Sequence, residues 1–247
     1  PNTKEDLFMN KQTHVNHPLT FGRILSILIV LTMLISILPT NSVSAATKLN
    51  YTEKIITIGQ TFTLKISPKK KTVKWSSSKP SIATVSKAGK VKGKSQGTAI
   101  ITAKIGKKSY KCKVYVKSSV SSVMSEINSW LTGSIWNEGF CDFGWYYSQG
   151  TNNCGQKMNI KYSINKFKKN YKKFNLYEDY INSLKGSKYS SLKKSWKYMR
   201  KESDTLYKQV TKKIDWSSAP YDDDNFSNDL FYQYFYDVYK YLVKFSY

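Results

Sequence analysis

Between residues 47 and 117, apolar side chains recur at every second position. In "SYKCKVYVK" (109–117), Tyr110, Cys112, Val114 and Val116 fall on one face and Lys111, Lys113, Tyr115 and Lys117 on the other. That is the period of a half-buried strand. Phe62, Leu64 and Ile66 repeat it in "TFTLKI", Ala99, Ile101 and Ala103 in "TAIITA", Val73 and Trp75 in "TVKW", and Ala83 and Val85 in "IATV". The intervening "PKKK", "SKP", "KAGK" and "SQG" are turn chemistry. About seven short strands at this spacing predict a β-sandwich. The connections are too short for helical crossovers, so the expectation is antiparallel, with a parallel sheet excluded.

The period changes after Lys117. "SSVSS" (118–122) reads as a short polar hinge, and helical spacing follows it. Val120, Val123, Met124, Ile127, Trp130 and Leu131 form one stripe, expected to end at Gly133. Ile160, Ile164, Phe167, Tyr171 and Phe174 form a second, continuing through Tyr177, Ile181 and Leu184 to Gly186. Residues 159–185 are either one helix or two, with Asn175 and Glu178 able to cap a new start. Tyr189, Leu192, Trp196, Met199, Leu206 and Val210 form another stripe. The last, "DLFYQYFYDVYKYLVKFSY", is apolar around most of its circumference. It is therefore either central in a bundle or covered by a partner. Short connections between these stripes predict a bundle of four or five helices.

At the other end, Lys11 and Arg23 precede the 15-residue apolar run Ile24–Leu38, and Pro39 and "NSVSAA" follow it. A basic start, an apolar centre and a small-residue exit predict a secretory signal cleaved after Ala45 or Ala46. A membrane anchor is the competing reading, but it calls for about 20 residues. After cleavage no stable membrane span is expected. The chain is expected to be secreted or to sit at the cell surface.

The strand-rich segment "KWSSSKPSIATVSKAGKVKGKSQGTAIITAKIGKKSYKCKVYVK" resembles the bacterial Ig-like domain of group 2. Its marks are a Trp followed by serines, then "SIATVS", then "GKVKGKSQGTAIITA", then the closing alternating strand. The resemblance covers about residues 47–117. It implies an immunoglobulin-like sandwich of the kind found in surface and secreted proteins, as spacer or binding module, without catalysis. Trp75 is then the one large aromatic able to plug the sandwich centre. Gly89 and Gly97 sit where turns need positive φ, and Cys112 is a small buried hydrophobe. The fold class expected for the whole chain is an all-β Ig-like sandwich (46–117) followed by a mainly α-helical bundle (118–247), after a signal region (1–45).

Charge narrows the partners. The chain carries 40 basic and 16 acidic residues. Residues 46–117 hold 18 Lys against the single acid Glu53, whereas residues 118–247 hold 19 basic and 13 acidic residues. Such an excess raises affinity for polyanions. Export argues against a specific nucleic acid. It leaves an anionic cell-wall polymer, a host glycan or a host protein, unless the lysines are only a solvated coat. Lys111, Lys113 and Lys117 share one strand face, and Lys104, Lys107 and Lys108 just before them are candidates to extend the patch.

The stretch "GSIWNEGFCDFGWYYSQGTNNCGQ" (133–156) is the second candidate site. Read as a loop, it carries Trp136, Trp145, Tyr146 and Tyr147, which either stack on sugar faces or fill the end of the bundle. A Cys141–Cys154 disulfide would close a loop of about 14 residues, worth roughly 3 kcal/mol; unlinked thiols are the alternative. Both histidines, His14 and His17, precede the cleavage point. The processed chain thus lacks the base of a Ser–His–Asp or Cys–His mechanism and an imidazole ligand for zinc. "DDDN" (222–225) lacks the rest of a calcium loop. No cofactor is expected. Two carboxylates suffice for a glycosidase, and Glu138 and Asp142 are then the pair to suspect. The leading expectation is a secreted, non-catalytic attachment protein. The alternatives are a carbohydrate-active enzyme and a structural spacer.

Overall fold

The computed structural model describes residues 45–69 and 72–247. The apolar run Ile24–Leu38, His14 and His17 lie outside the described residues, as do Lys70 and Lys71 of the "PKKK" turn. No described helix is long and apolar enough to cross a membrane.

Among the described residues alternation produces nine strands: β1 (Lys48–Leu49), β2 (Glu53–Thr57), β3 (Thr61–Thr63), β4 (Ile66–Ser67), β5 (Lys74–Ser77), β6 (Ala83–Val85), β7 (Lys90–Gly93), β8 (Gly97–Ile105) and β9 (Lys108–Lys117). They form a two-stranded sheet β1-β4, a four-stranded sheet β2-β9-β8-β5 and a three-stranded sheet β3-β7-β6. β2 pairs with β9 in parallel, from Glu53 opposite Lys113 to Thr57 opposite Lys117. This corrects the expected exclusion of parallel pairing. A long crossover is needed only to bring neighbouring strands parallel, and here the rest of the sandwich is the connection.

Leu64, Val91, Ile101, Cys112, Val114 and Val116 are each at most 1% exposed and fill the space between the sheets. Burial pushes the Cys112 thiol up to about 12. Trp75 does not plug the centre. It is half-buried at the margin, over Gly89, where a Cβ would stand 3.0 Å from the indole and 2.5 Å from the Leu64 carbonyl. Gly89 has φ 79°, so its lack of a side chain serves both the turn and the close approach.

The second half contains α1 (Val120–Trp130), α2 (Asp142–Gln149), α3 (Ile160–Tyr171), α4 (Lys173–Ser183), α5 (Ser190–Lys208) and α6 (Asp229–Ser246). The expected stop at Gly133 does not occur. The chain continues through a wide, π-wound stretch, Leu131–Cys141, directly into α2, which ends at Gly150 with φ 71°. Most of the stretch read as a loop is therefore helical. A kink interrupts this winding at Gly139. Gly139 departs from helical angles (φ −109°, ψ −108°), and a Cβ there would lie 2.7 Å from the Phe167 ring. Residues 159–185 are two helices broken at Lys172; Asn159 caps the first by accepting from the Tyr162 amide at 3.1 Å.

The interior of this half is aromatic. Trp130 meets Phe174 edge to face at 4.7 Å, and Phe140 meets Phe167 at 5.2 Å and Phe231 at 4.7 Å. Such pairs add about 0.5–1.5 kcal/mol beyond the area they bury. α6 is not central. Phe231, Phe235, Val238 and Leu242 form its buried stripe, against α1 and α5, while Tyr232 and Tyr236 stay half exposed.

No free hinge separates the halves. Ser119 caps α1, its side chain accepting from the Ser122 amide at 3.1 Å. Ile55 of β2, 2% exposed, packs into the helical core, and Tyr115 of β9 lies against the same cluster. Two ion pairs cross the junction: Lys54 with Asp179 of α4, and Lys117 with Glu126 of α1. Lys54 is almost buried, and its ammonium lies 4.2 Å from the centre of the Tyr51 ring.

Candidate functional site

Three places gather the side chains singled out above. The first is a cleft of about 720 Å³ between α2 and the segment leading into α6. Tyr147 is its hinge-pin. Its ring stacks on Tyr221 at 4.5 Å, its carbonyl accepts from the Tyr221 amide at 2.7 Å, and its hydroxyl donates to Asp223 at 2.5 Å. That hydrogen bond holds the Tyr147 phenol up at about 12 and the Asp223 carboxyl below its usual value. Asn228 closes the other end by donating to the Phe140 carbonyl at 3.0 Å. Trp136 stands at the wall, stacked on Phe235 at 5.6 Å, and Trp145 stands 49% exposed. Of the four aromatic candidates, Trp136, Trp145 and Tyr147 line this cleft, whereas Tyr146 packs toward Trp216 at 6.0 Å.

The second is a smaller pocket of about 320 Å³ shared by Glu138 and Asp142. Glu138 pairs with Lys166 at 2.9 Å. Asp142 accepts from the Asn153 amide at 3.0 Å, and burial, outweighing that bond, raises its carboxyl above the usual value. Cys141 and Cys154 are separate thiols here. Asn153 stands between them, its amide nitrogen 3.7 Å from the Cys141 sulfur and its oxygen accepting from the Cys154 thiol at 3.0 Å.

The third is the outer face of the four-stranded sheet. Partners across a ladder point to the same side. Lys74 of β5 stands opposite Lys104 of β8, and Lys111 and Lys113 of β9 stand opposite Thr102 and Ile100. All four lysines are exposed. Lys113 also lies 5.0 Å from the Tyr115 ring, and the Tyr115 hydroxyl donates to Glu53 at 2.9 Å. Lys117 does not belong to this patch, because Glu126 holds it at the junction with α1. Lys107 sits in the β8–β9 turn. Lys108 pairs with Ile105 and, by alternation, belongs to the opposite side.

Residues 45–114 match the family model of the bacterial Ig-like domain (group 2). Among solved structures, 30% of the chain is similar to domains 4 and 5 of the S-layer protein SbsC, at 29% identity and TM-score 0.25, covering 51% of that structure. The same share is similar to domains 5–6 of SbsC, at 29% identity and TM-score 0.25, covering 43% of it. It is likewise similar to a GH10 xylanase from termite gut that contains a bacterial Ig-like domain, at 24% identity and TM-score 0.25, covering 23% of it. The chain thus spans about half or less of each of these structures. No curated protein matches the chain.

The Ig-like domain's lysine face was legible in part. Alternation alone placed Lys111 and Lys113 together. Lys74 was missed, although "TVKW" puts it on the side away from Trp75; only the ladder register shows that this side faces Lys104. In the sequence the carboxylates of the cleft stand out only as an incomplete calcium loop. Their sequence signal, "DDDN", lies some 80 residues from Trp145, and nothing local joins the two.

Proposed function

We propose that this chain is a non-catalytic attachment module acting outside the bacterial cell. On this reading its Ig-like domain holds an anionic envelope or host polymer on the open half of its four-stranded sheet. One observation carries it. Lys74 and Lys104 face each other across adjacent strands, beside Lys111 and Lys113, and none of β5, β8 and β9 contains an acid. Like charges placed opposite one another destabilise a sheet, and a polyanion laid along them removes that cost without needing a shaped pocket. The match of residues 45–114 to a bacterial Ig-like family supports the extracellular setting. The test is co-sedimentation of residues 46–247 with purified walls that carry or lack their anionic polymer. Binding should require the polymer and fall roughly 100-fold between about 0.05 and 0.5 M salt, since screening shortens to a few ångströms. Binding indifferent to salt or to the polymer would refute this function, and no binding would leave a spacer.

A second reading, glycoside hydrolysis, rests on the pocket shared by Glu138 and Asp142. A carboxyl raised by burial beside an ion-paired carboxylate is the division of roles an acid and its partner need. Release of reducing sugar from the same walls, abolished by Glu138→Gln, would establish it and overturn the non-catalytic reading.

A further inference from the structure

We infer that the cleft between α2 and the start of α6 is a second binding site, for saccharides free of negative charge, with amino sugars held best. It does not depend on the lysine face. Trp145 is the platform. It is 49% exposed at the cleft, on a helix that buries Phe143 and Tyr147, and it has no ring stacked on it among the described residues. Trp136, by contrast, is fixed by Phe231, Tyr232 and Phe235 and forms a rigid wall. One open indole face beside hydroxyl and amide groups suits a ring that is apolar on one side and hydroxylated at its edge.

The charge of the lining selects among such rings. In a chain with 40 basic residues, this cleft is lined by Asp223, Asp224 and Asp229 and by no Lys or Arg. Asp223 is engaged by the Tyr147 hydroxyl and Asp229 by Ser227, while the Asp224 side chain has no protein hydrogen-bond donor among the described residues. Three carboxylates around about 720 Å³ repel the polyanion that the sheet would take. They favour a protonated amine, which a nearby indole face also attracts. The volume lies in the usual range of small-ligand sites, about 300–1,000 Å³, so the site holds a short stretch of sugar chain.

The experiment is calorimetric titration of residues 46–247 at about pH 6 with the glucosamine tetramer, the N-acetylglucosamine tetramer and the galacturonate tetramer. The glucosamine tetramer should bind about tenfold tighter than its N-acetylated form, and whatever binding the galacturonate tetramer shows, through the lysine face, should be unaltered by Trp145→Ala. Trp145→Ala should weaken both of the first two about tenfold. Asp224→Asn should abolish the preference for the amine while keeping the N-acetylated tetramer bound. Unchanged melting curves would show that both variants fold. Absence of binding by both amino-sugar tetramers, binding of the acidic tetramer that Trp145→Ala weakens, or glucosamine-tetramer affinity unaltered by Trp145→Ala would each overturn the assignment. So would tight binding of tetralysine that Trp145→Ala leaves untouched, because the cleft would then read charge without a sugar ring.

Discussion

The outer face of the four-stranded sheet has two ends in different surroundings. At its β2 edge, Ile55 is buried in the helical core, Tyr115 lies against that core, and Lys117 is tied to Glu126. Toward β5, Lys74, Lys104 and Lys111 stand in solvent. Both ends arise from the same alternation of inward apolar and outward polar residues. The difference is what lies over them. Where α1 and α4 cover the sheet, an outward Ile is a core residue and an outward Lys is half of an ion pair. Where no described residue covers it, the outward Lys stands in solvent. A lysine's position in a strand therefore says little about its role until its cover is known.

Substitutions at the two ends should separate stability from binding. Ile55→Ala removes a side chain packed into the helical core and should cost about 3 kcal/mol by chemical denaturation, with polymer binding unchanged once the protein is folded. A destabilisation below about 1 kcal/mol would mean that the covered end is not a packed interface. Lys111→Glu with Lys113→Glu should do the reverse, weakening polymer binding about tenfold at a stability cost below about 1 kcal/mol, since position 113 stands opposite Glu53. If the doubly reversed protein still binds as tightly, the open end is only a solubilising coat.

The contrast extends to pH. Burial holds the phenols of Tyr171, Tyr177 and Tyr180 well above their ordinary value of 10.0. Groups raised on folding stabilise fully below the unfolded value, and that contribution disappears as pH climbs through the folded values. The helical half should thus lose about 1 kcal/mol by about pH 10, and progressively more above it, seen as loss of helical dichroism together with tyrosinate absorbance. Among the described residues the sandwich core contains no tyrosine, but its buried Cys112 thiol, raised from 9.0 to about 12, follows the same sign and costs the sandwich about 1 kcal/mol by about pH 10. With that thiol removed by Cys112→Ala, simultaneous loss of strand and helix signals would show that the junction couples the halves into one transition. The smallest effect is expected for Lys117→Glu. Facing Glu126, it should destabilise by about 0.5–1 kcal/mol and leave polymer binding nearly intact, whereas binding reduced as much as by Lys111→Glu would return Lys117 to the patch.

By itself the sequence determined the two-part architecture, because period 2 and period 3.6 write themselves in local spacing. It placed the sandwich interior at Leu64, Ile101, Cys112, Val114 and Val116, and it put Lys111 and Lys113 on one face. What it left undecided was long-range. The parallel β2–β9 pair joins strands some 60 residues apart. The run from Gly133 to Gln149 is helical on both sides of a kink at Gly139, where Phe167, from another helix, takes the room a side chain would need. Trp75 lies at the margin because aliphatic side chains from both sheets already fill the centre. The roles of Ile55, Lys54 and Lys117 depend on helices that pack onto the sheet. The cleft exists only where Trp145 and the aspartates of residues 223–229 meet. Periodicity reports which side of an element is apolar, and tertiary packing decides what that side meets.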